Sequence, residues 1–72
     1  MTDPTTRERQ AREELKRVGA DARYWAGERR AALWALKEEL GTWQKVADAT
    51  GQKLAAITKA AYKRPHEGTT TP

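Results

Sequence analysis

The 72-residue sequence contains no cysteine, no serine and no phenylalanine, and it has one histidine, His66. Without cysteine, the chain has neither a disulfide framework nor a thiolate metal site. Without serine or cysteine to pair with that histidine, a Ser-His or Cys-His catalytic pair cannot be written. The acidic neighbours Glu13-Glu14 and Glu38-Glu39 do not face each other on a helix, so paired acid–base chemistry is not supported either. We expect a chain that is not an enzyme and that uses no metal, cofactor or small-molecule substrate.

Long apolar runs are also missing. No stretch of 18 apolar residues exists, and residues 1–4 are polar, so neither a membrane span nor a signal peptide is predicted. A cytoplasmic location is the expectation. Apolar residues make up 38% of the chain, and a chain this short buries only about 60% of its unfolded surface. One small domain is predicted, without membrane contact.

The charge of the chain is distributed unevenly. The net charge is +4, yet residues 1–40 carry nine basic and eight acidic side chains. Residues 41–64 carry five basic side chains and one acid, Asp48. A basic segment of this kind favours a polyanionic partner such as nucleic acid, although it also fits an ordinary solvated surface.

Two helices are predicted in the first half of the chain. Good helix formers fill most of residues 5–40, and Gly19 costs a helix about 1 kcal/mol relative to alanine. A break at Gly19, followed by Asp21 as an N-cap, predicts helices over 5–18 and 21–40. One continuous helix is the alternative. At the start of the chain, Asp3 or Thr2 would cap a helix whose first residue is Pro4.

An apolar stripe runs along these predicted helices, with Arg29 as its one charged member. At 100° per residue, the stripe lies within an arc of about 100°. Its apolar members are Ala11, Leu15, Val18, Ala22, Trp25, Ala32, Leu33, Leu36 and Leu40. Together with the later helices, the stripe predicts a core of Trp25, Leu33, Leu36, Leu40, Trp43, Val46, Ala47, Leu54 and Ile57.

Two further helices are predicted after residue 40. Gly41 is placed to end the second helix, and Thr42 is a natural N-cap for a short helix over 43–49 or 43–50. Gly51 stops that helix. A final helical pattern covers 53–64 and ends before a proline.

The fold class follows from these elements. The sequence predicts an all-α domain over residues 5–64, a small bundle of three or four helices with no strand. Residues 1–4 are expected to be flexible. Residues 65–72 have nothing to bury, so they are predicted to be a disordered tail.

Residues 42–64 have the features required of two short helices that cross at a steep angle. Ala47 is small enough for two helix backbones to approach, and Gly51 tolerates the positive φ of a sharp turn. Val46, Leu54 and Ile57 supply apolar side chains for the contact between the helices. The pattern is typical of a helix-turn-helix.

This segment resembles the helix-turn-helix family of small bacterial and phage transcription regulators. Residues 46–51, Val-Ala-Asp-Ala-Thr-Gly, are similar to the hydrophobic-Ala-x-x-x-Gly signature of that family. Ile57 follows Gly51 by six residues, and Ala60 follows three further on. The resemblance covers 20 to 24 residues. It implies that 53–64 is a recognition helix that lies in the major groove of DNA.

The resemblance also implies which residues contact DNA. The outward face of the recognition helix consists of Gln52, Ala55, Ala56, Lys59, Tyr62 and Lys63. Glutamine can pair with adenine, lysine can donate to guanine or phosphate, and short alanines suit thymine methyl groups. Phosphate contacts are expected from Lys45, Lys53 and Arg64, and from backbone N–H groups at Thr42 and Gln44.

Other interpretations of the sequence stay open. The same helix pair is compatible with ordinary packing in a small bundle, or with RNA. Trp34 projects about 180° from Trp25, among Arg23, Arg30 and Lys37. It is either covered by arginine stems or is a contact for a partner. The second option makes the chain a small adaptor or inhibitor that docks through Trp34 and the charged N-terminal helix.

That N-terminal helix is itself open to three interpretations. Eight of the eleven residues 7–17 are charged, and such a run is a solvated face, a source of phosphate contacts through Arg7, Arg9 and Arg12, or a dimerisation arm. One small domain reads one short half-site. A homodimer or a companion protein is therefore expected if the chain binds a specific site on duplex DNA.

Overall fold

The structure is a computed structural model that describes residues 3–62. It contains four helices, α1 (Pro4–Leu15), α2 (Ala22–Leu40), α3 (Trp43–Thr50) and α4 (Leu54–Ala60). The described residues contain no strand, and the predicted all-α fold is confirmed. The first half of the chain forms two helices rather than one. The predicted tail, 65–72, lies outside the described residues.

Short polar side chains begin the first three helices. Each cap accepts the backbone N–H of the residue three positions further on, at 2.8 Å for Asp3, 3.1 Å for Asp21 and 3.2 Å for Thr42. The bond from the Thr6 backbone N–H lowers the pKa of the Asp3 carboxyl. Pro4 occupies the first turn of α1, where a missing N–H costs nothing. All three predicted caps are confirmed.

Two predicted helix ends are wrong. α1 ends at Leu15 instead of residue 18, and the chain turns through Gly19, whose φ is +86°. Val18 therefore lies in the connection, and its side chain is fully exposed instead of continuing the apolar stripe. α4 ends at Ala60, short of the predicted residue 64, and Ala61 already departs from helical geometry.

The core lies between the C-terminal half of α2 and the two short helices. Its buried members are Leu33, Leu36, Val46, Ala47, Ile57 and Ala61. Ala11 and Ala32 are buried as well. Trp43 and Leu40 pack against this core and are half-buried.

Two of the predicted core residues, Leu54 and Trp25, lie outside this core. Leu54 is 40% exposed. It is the first residue of α4, and it is not part of the buried cluster or of the half-buried residues that pack against it. Trp25 is half-buried and stacks edge-to-face on Tyr24, with ring centroids 5.0 Å apart.

Candidate nucleic-acid interface

The candidate interface is the α3–α4 unit, defined as residues 42–62. Gly51 ends α3 in the left-handed conformation, at φ 70° and ψ 26°. In this geometry the Gln52 N–H donates to the Ala47 carbonyl at 3.0 Å, which satisfies a carbonyl at the helix end. Two residues, 52 and 53, separate Gly51 from the start of α4. The turn predicted at Gly51 is confirmed.

The exposed surface of the α3–α4 unit contains most of the residues predicted to contact DNA. On α4, Ala55 and Lys59 lie opposite the buried Ile57, and Tyr62 follows at helical spacing just beyond the helix. The exposed members of the predicted set are Thr42, Gln44, Lys45, Lys53, Ala55, Ala56, Lys59 and Tyr62. Lys63 and Arg64, also in that set, lie outside the described residues.

Within residues 3–62, the positive charge of this surface is not neutralised by ion pairs. Lys45, Lys53 and Lys59 take part in none of the ion pairs found within residues 3–62. Those pairs instead join acids of α1 and α2 to arginines of the N-terminal half of the chain. Asp48 is the one acid of the unit, and its Oδ1 accepts a bond from the Gln44 side chain at 3.1 Å. The three ammonium groups are therefore available to an external anion.

Gln52 does not face outward, so its assignment to the DNA-reading face is wrong for this structure. Its Nε2 donates to Glu8 Oε2 at 3.0 Å, and its Oε1 accepts from Arg29 Nη2 at 2.6 Å. Both ends of the amide are occupied by side chains from other helices. A side chain held in this way cannot pair with adenine unless these bonds break.

Gln52 belongs to a polar cluster made of Glu8, Arg12, Arg29 and Gln52. Glu8 is completely buried, and its two oxygens accept from Arg12 Nε at 2.9 Å and from Arg29 Nε at 3.0 Å. The cluster joins α1 and α2 to the turn that precedes α4. It therefore fixes the start of α4 relative to the N-terminal helices.

The sequence prediction did not find this polar cluster, although two signals point to it. Arg29 is the charged member of the apolar stripe on α2. Glu8 lies three residues before the buried Ala11, so it shares the inner face of α1. Opposite charges on two facing apolar stripes indicate a buried pair, because an unpaired buried charge would cost too much.

The N-terminus of α3 is used within the chain. The Thr42 hydroxyl caps the helix through Lys45 N, and the Gln44 amide bonds to Asp48. Any phosphate contact from these two residues would therefore come from the backbone N–H groups of the first turn, which lack helical acceptors.

Trp34 packs against the core. Its indole N–H donates to the Ala61 carbonyl at 3.1 Å, and its ring meets Trp43 edge-to-face at 4.9 Å. Lys37 Nζ lies 5.8 Å from the centre of the Trp43 ring. Neighbouring Arg30 is half-buried, and its Nε has no hydrogen-bond partner within residues 3–62. This side of α2 is thus a second covered face, which fits the structural interpretation of Trp34.

Two arginines of the N-terminal helix are also engaged within the fold. Arg7 pairs with Glu28 at 3.2 Å, and Arg12 pairs with the buried Glu8. Of the three arginines considered for phosphate contacts, only Arg9 is both exposed and outside the ion pairs within residues 3–62.

Comparison of the chain with protein-family models, with curated proteins and with solved structures gives no match. The family resemblance of residues 42–64 therefore stays a prediction. Among the helices of residues 3–62, none has both the length and the apolar character needed to cross a bilayer. The same residues hold no group of three His, Cys, Asp or Glu side chains that could bind a metal ion.

Proposed function

We propose that this protein binds duplex DNA through the α3–α4 unit, with α4 in the major groove, as a small transcription regulator or a phage or plasmid accessory factor. The unit acts as a helix-turn-helix, and the protein is a binding protein without catalytic activity. The observation that carries the proposal is the exposed face of α4, where short alanines lie between lysines that form no ion pair with any of residues 3–62.

The order of the helices supports the proposal. α3 ends at a left-handed glycine, and two residues separate that glycine from α4. The core side of α4 is anchored by Ile57 and followed by the buried Ala61, so the opposite side is free to meet a ligand. A helix exposed on one side and anchored on the other is what insertion into a major groove requires.

The dimensions of the exposed side chains favour duplex DNA over RNA. Ala55 and Ala56 project only a methyl group, so the α4 backbone can approach the floor of a groove. The major groove of B-DNA is about 12 Å wide and admits an α-helix. The major groove of A-form RNA is deep and too narrow for side chains to read.

The alternative function, docking of a protein partner through Trp34, has less support. Trp34 contacts Trp43 and Ala61 within the fold. Only the charged N-terminal helix would then remain to bind a partner, and two of its arginines are held in ion pairs.

A charge-reversal variant tests the proposed interface. Lys53→Glu combined with Lys59→Glu places two acids where the proposal expects phosphates. We expect affinity for a duplex selected from a randomised pool at roughly physiological salt to fall by at least about tenfold. The slope of log affinity against log salt should also shrink by about 0.9 for each phosphate that the variant no longer neutralises. Circular dichroism should show unchanged helix content.

The matched control changes the same amount of charge elsewhere. Lys16 and Arg23 are exposed, make no ion pair within residues 3–62, and lie near the α1–α2 connection. Replacing both by glutamate should affect binding much less. Equal decreases in affinity for the two double variants would mean that binding depends on net charge alone. A randomised pool that yields no enriched sequence would overturn the proposal.

A further inference from the structure

The exposed side chains of α4 have few groups that can read bases by hydrogen bonding. Gln52 is held by Glu8 and Arg29. The Thr58 hydroxyl donates to backbone carbonyls within α4, 3.1 Å from that of Leu54 and 3.2 Å from the next one along. Lys59 is a single flexible charge that serves phosphate as well as bases. No amide or guanidinium side chain of residues 53–60 is available for paired hydrogen bonds with a base.

The same surface is rich in exposed methyl groups. Ala55 and Ala56 are exposed, and Leu54 is 40% exposed beside them. In the major groove both kinds of base pair present polar atoms, but an A·T pair also presents the C5-methyl group of thymine, whereas a G·C pair has two acceptors on guanine, a donor on cytosine and no methyl group. Covering those polar groups with alanine would remove them from water without replacing their hydrogen bonds, which is unfavourable.

We infer that α4 selects DNA by contact of Ala55 and Ala56 with thymine C5-methyl groups, so that the preferred sites are rich in A·T pairs at the positions beneath α4. This inference rests on the proposed function, because it needs α4 in the major groove. Lysines then hold the phosphates and give affinity, while the methyl contacts give sequence preference.

The test compares thymine with deoxyuridine, which lacks only the C5-methyl group. The full chain is first used to select duplexes from a randomised pool, and the enriched duplex is then synthesised with every thymine replaced by deoxyuridine. Burial of one methyl group changes affinity by roughly fourfold. With two contacted thymines, we expect the deoxyuridine duplex to bind about sixteenfold more weakly.

Variants of the protein locate the effect on α4. Ala55→Gly and Ala56→Gly each remove a methyl group from the surface, and each should reduce the ratio of thymine to deoxyuridine affinity toward one. Ala26→Gly is the control. Ala26 is exposed on α2, outside the α3–α4 unit, so its replacement also puts a glycine into a helix and should leave the ratio unchanged.

Each outcome is decisive. A duplex that binds equally well with thymine and with deoxyuridine would leave DNA binding in place and overturn the methyl contact. A G·C-rich enriched sequence would do the same. If the ratio of thymine to deoxyuridine affinity stayed at its wild-type value in both glycine variants, the methyl contact would belong to another part of the chain. If no duplex is enriched, the inference falls with the proposed function.

Discussion

At the scale of single residues, Glu8 has the largest predicted effect on stability. Within residues 3–62 it is the one charged side chain that is fully buried. Glu8→Ala would leave the Arg12 and Arg29 guanidinium groups and the Gln52 amide without their acceptor. Removing one partner of a buried ion pair typically costs about 3–5 kcal/mol, and a domain of this size has only a few kcal/mol of stability. We expect the variant to be largely unfolded at 25 °C by circular dichroism.

The control for this prediction is Glu13→Ala. Glu13 is exposed on the same helix and makes no ion pair within residues 3–62, so its free energy of unfolding should change by no more than about 0.5 kcal/mol. A melting temperature for the Glu8 variant that matches this control would contradict the role given to the polar cluster.

Gln52 illustrates why part of the site could not be predicted from sequence. Helical projection placed it outward because projection uses only neighbours along the chain. Its bonding partner Glu8 lies 44 residues away. The orientation of Gln52 is therefore set by tertiary contacts between α1, α2 and the turn, which no local pattern contains.

At the scale of the helices, the turn between α3 and α4 depends on the conformation of Gly51. A Cβ atom added at Gly51 would meet no atom within 4 Å, so there is space for a substitution. The φ of +70° is what disfavours a residue with a side chain. We expect Gly51→Ala to lower the free energy of unfolding by about 1 kcal/mol, since left-handed geometry costs a residue with Cβ about 1–2 kcal/mol. Chemical denaturation measures the change.

Asparagine provides the matched comparison at this position. It tolerates the left-handed conformation better than alanine does, so Gly51→Asn should cost less than Gly51→Ala. If the two variants were equally stable, backbone conformation at Gly51 would not be what limits the turn.

The helices could be predicted where a local rule determines them. Caps depend on one side chain and the backbone three residues on, so Asp3, Asp21 and Thr42 were identified correctly. The ends of α1 and α4 and the exposure of Leu54 were not, because they depend on how far the core covers each helix. Projection along α2 placed Trp34 on a charged face because it cannot show which other segment covers that face. In the structure Trp34 contacts Ala61, so α2 has a second buried side.

At the scale of the whole molecule, the dimensions of the domain bear on how two copies would share a DNA site. Residues 3–62 form a body of about 34 × 32 × 28 Å. Neighbouring major grooves on one face of B-DNA are about 34–36 Å apart, or 10–10.5 base pairs. Two copies in neighbouring grooves would thus fit side by side without overlapping, and they would come into contact if their longest axes follow the DNA axis. A single copy, in contrast, would cover only one short half-site.

This match predicts cooperative binding that depends on spacing. On a duplex with two half-sites centred about 10 base pairs apart, the second copy should bind more tightly than the first. Inserting five base pairs turns the half-sites to opposite faces, and inserting ten separates them by about 70 Å, twice the groove spacing. Both insertions should leave two independent binding events, each with the affinity of a single half-site, in a titration followed by fluorescence anisotropy. Cooperativity that survives both insertions would mean that the two copies associate through a flexible or DNA-independent contact, because rigid neighbours of this width cannot reach each other across either gap.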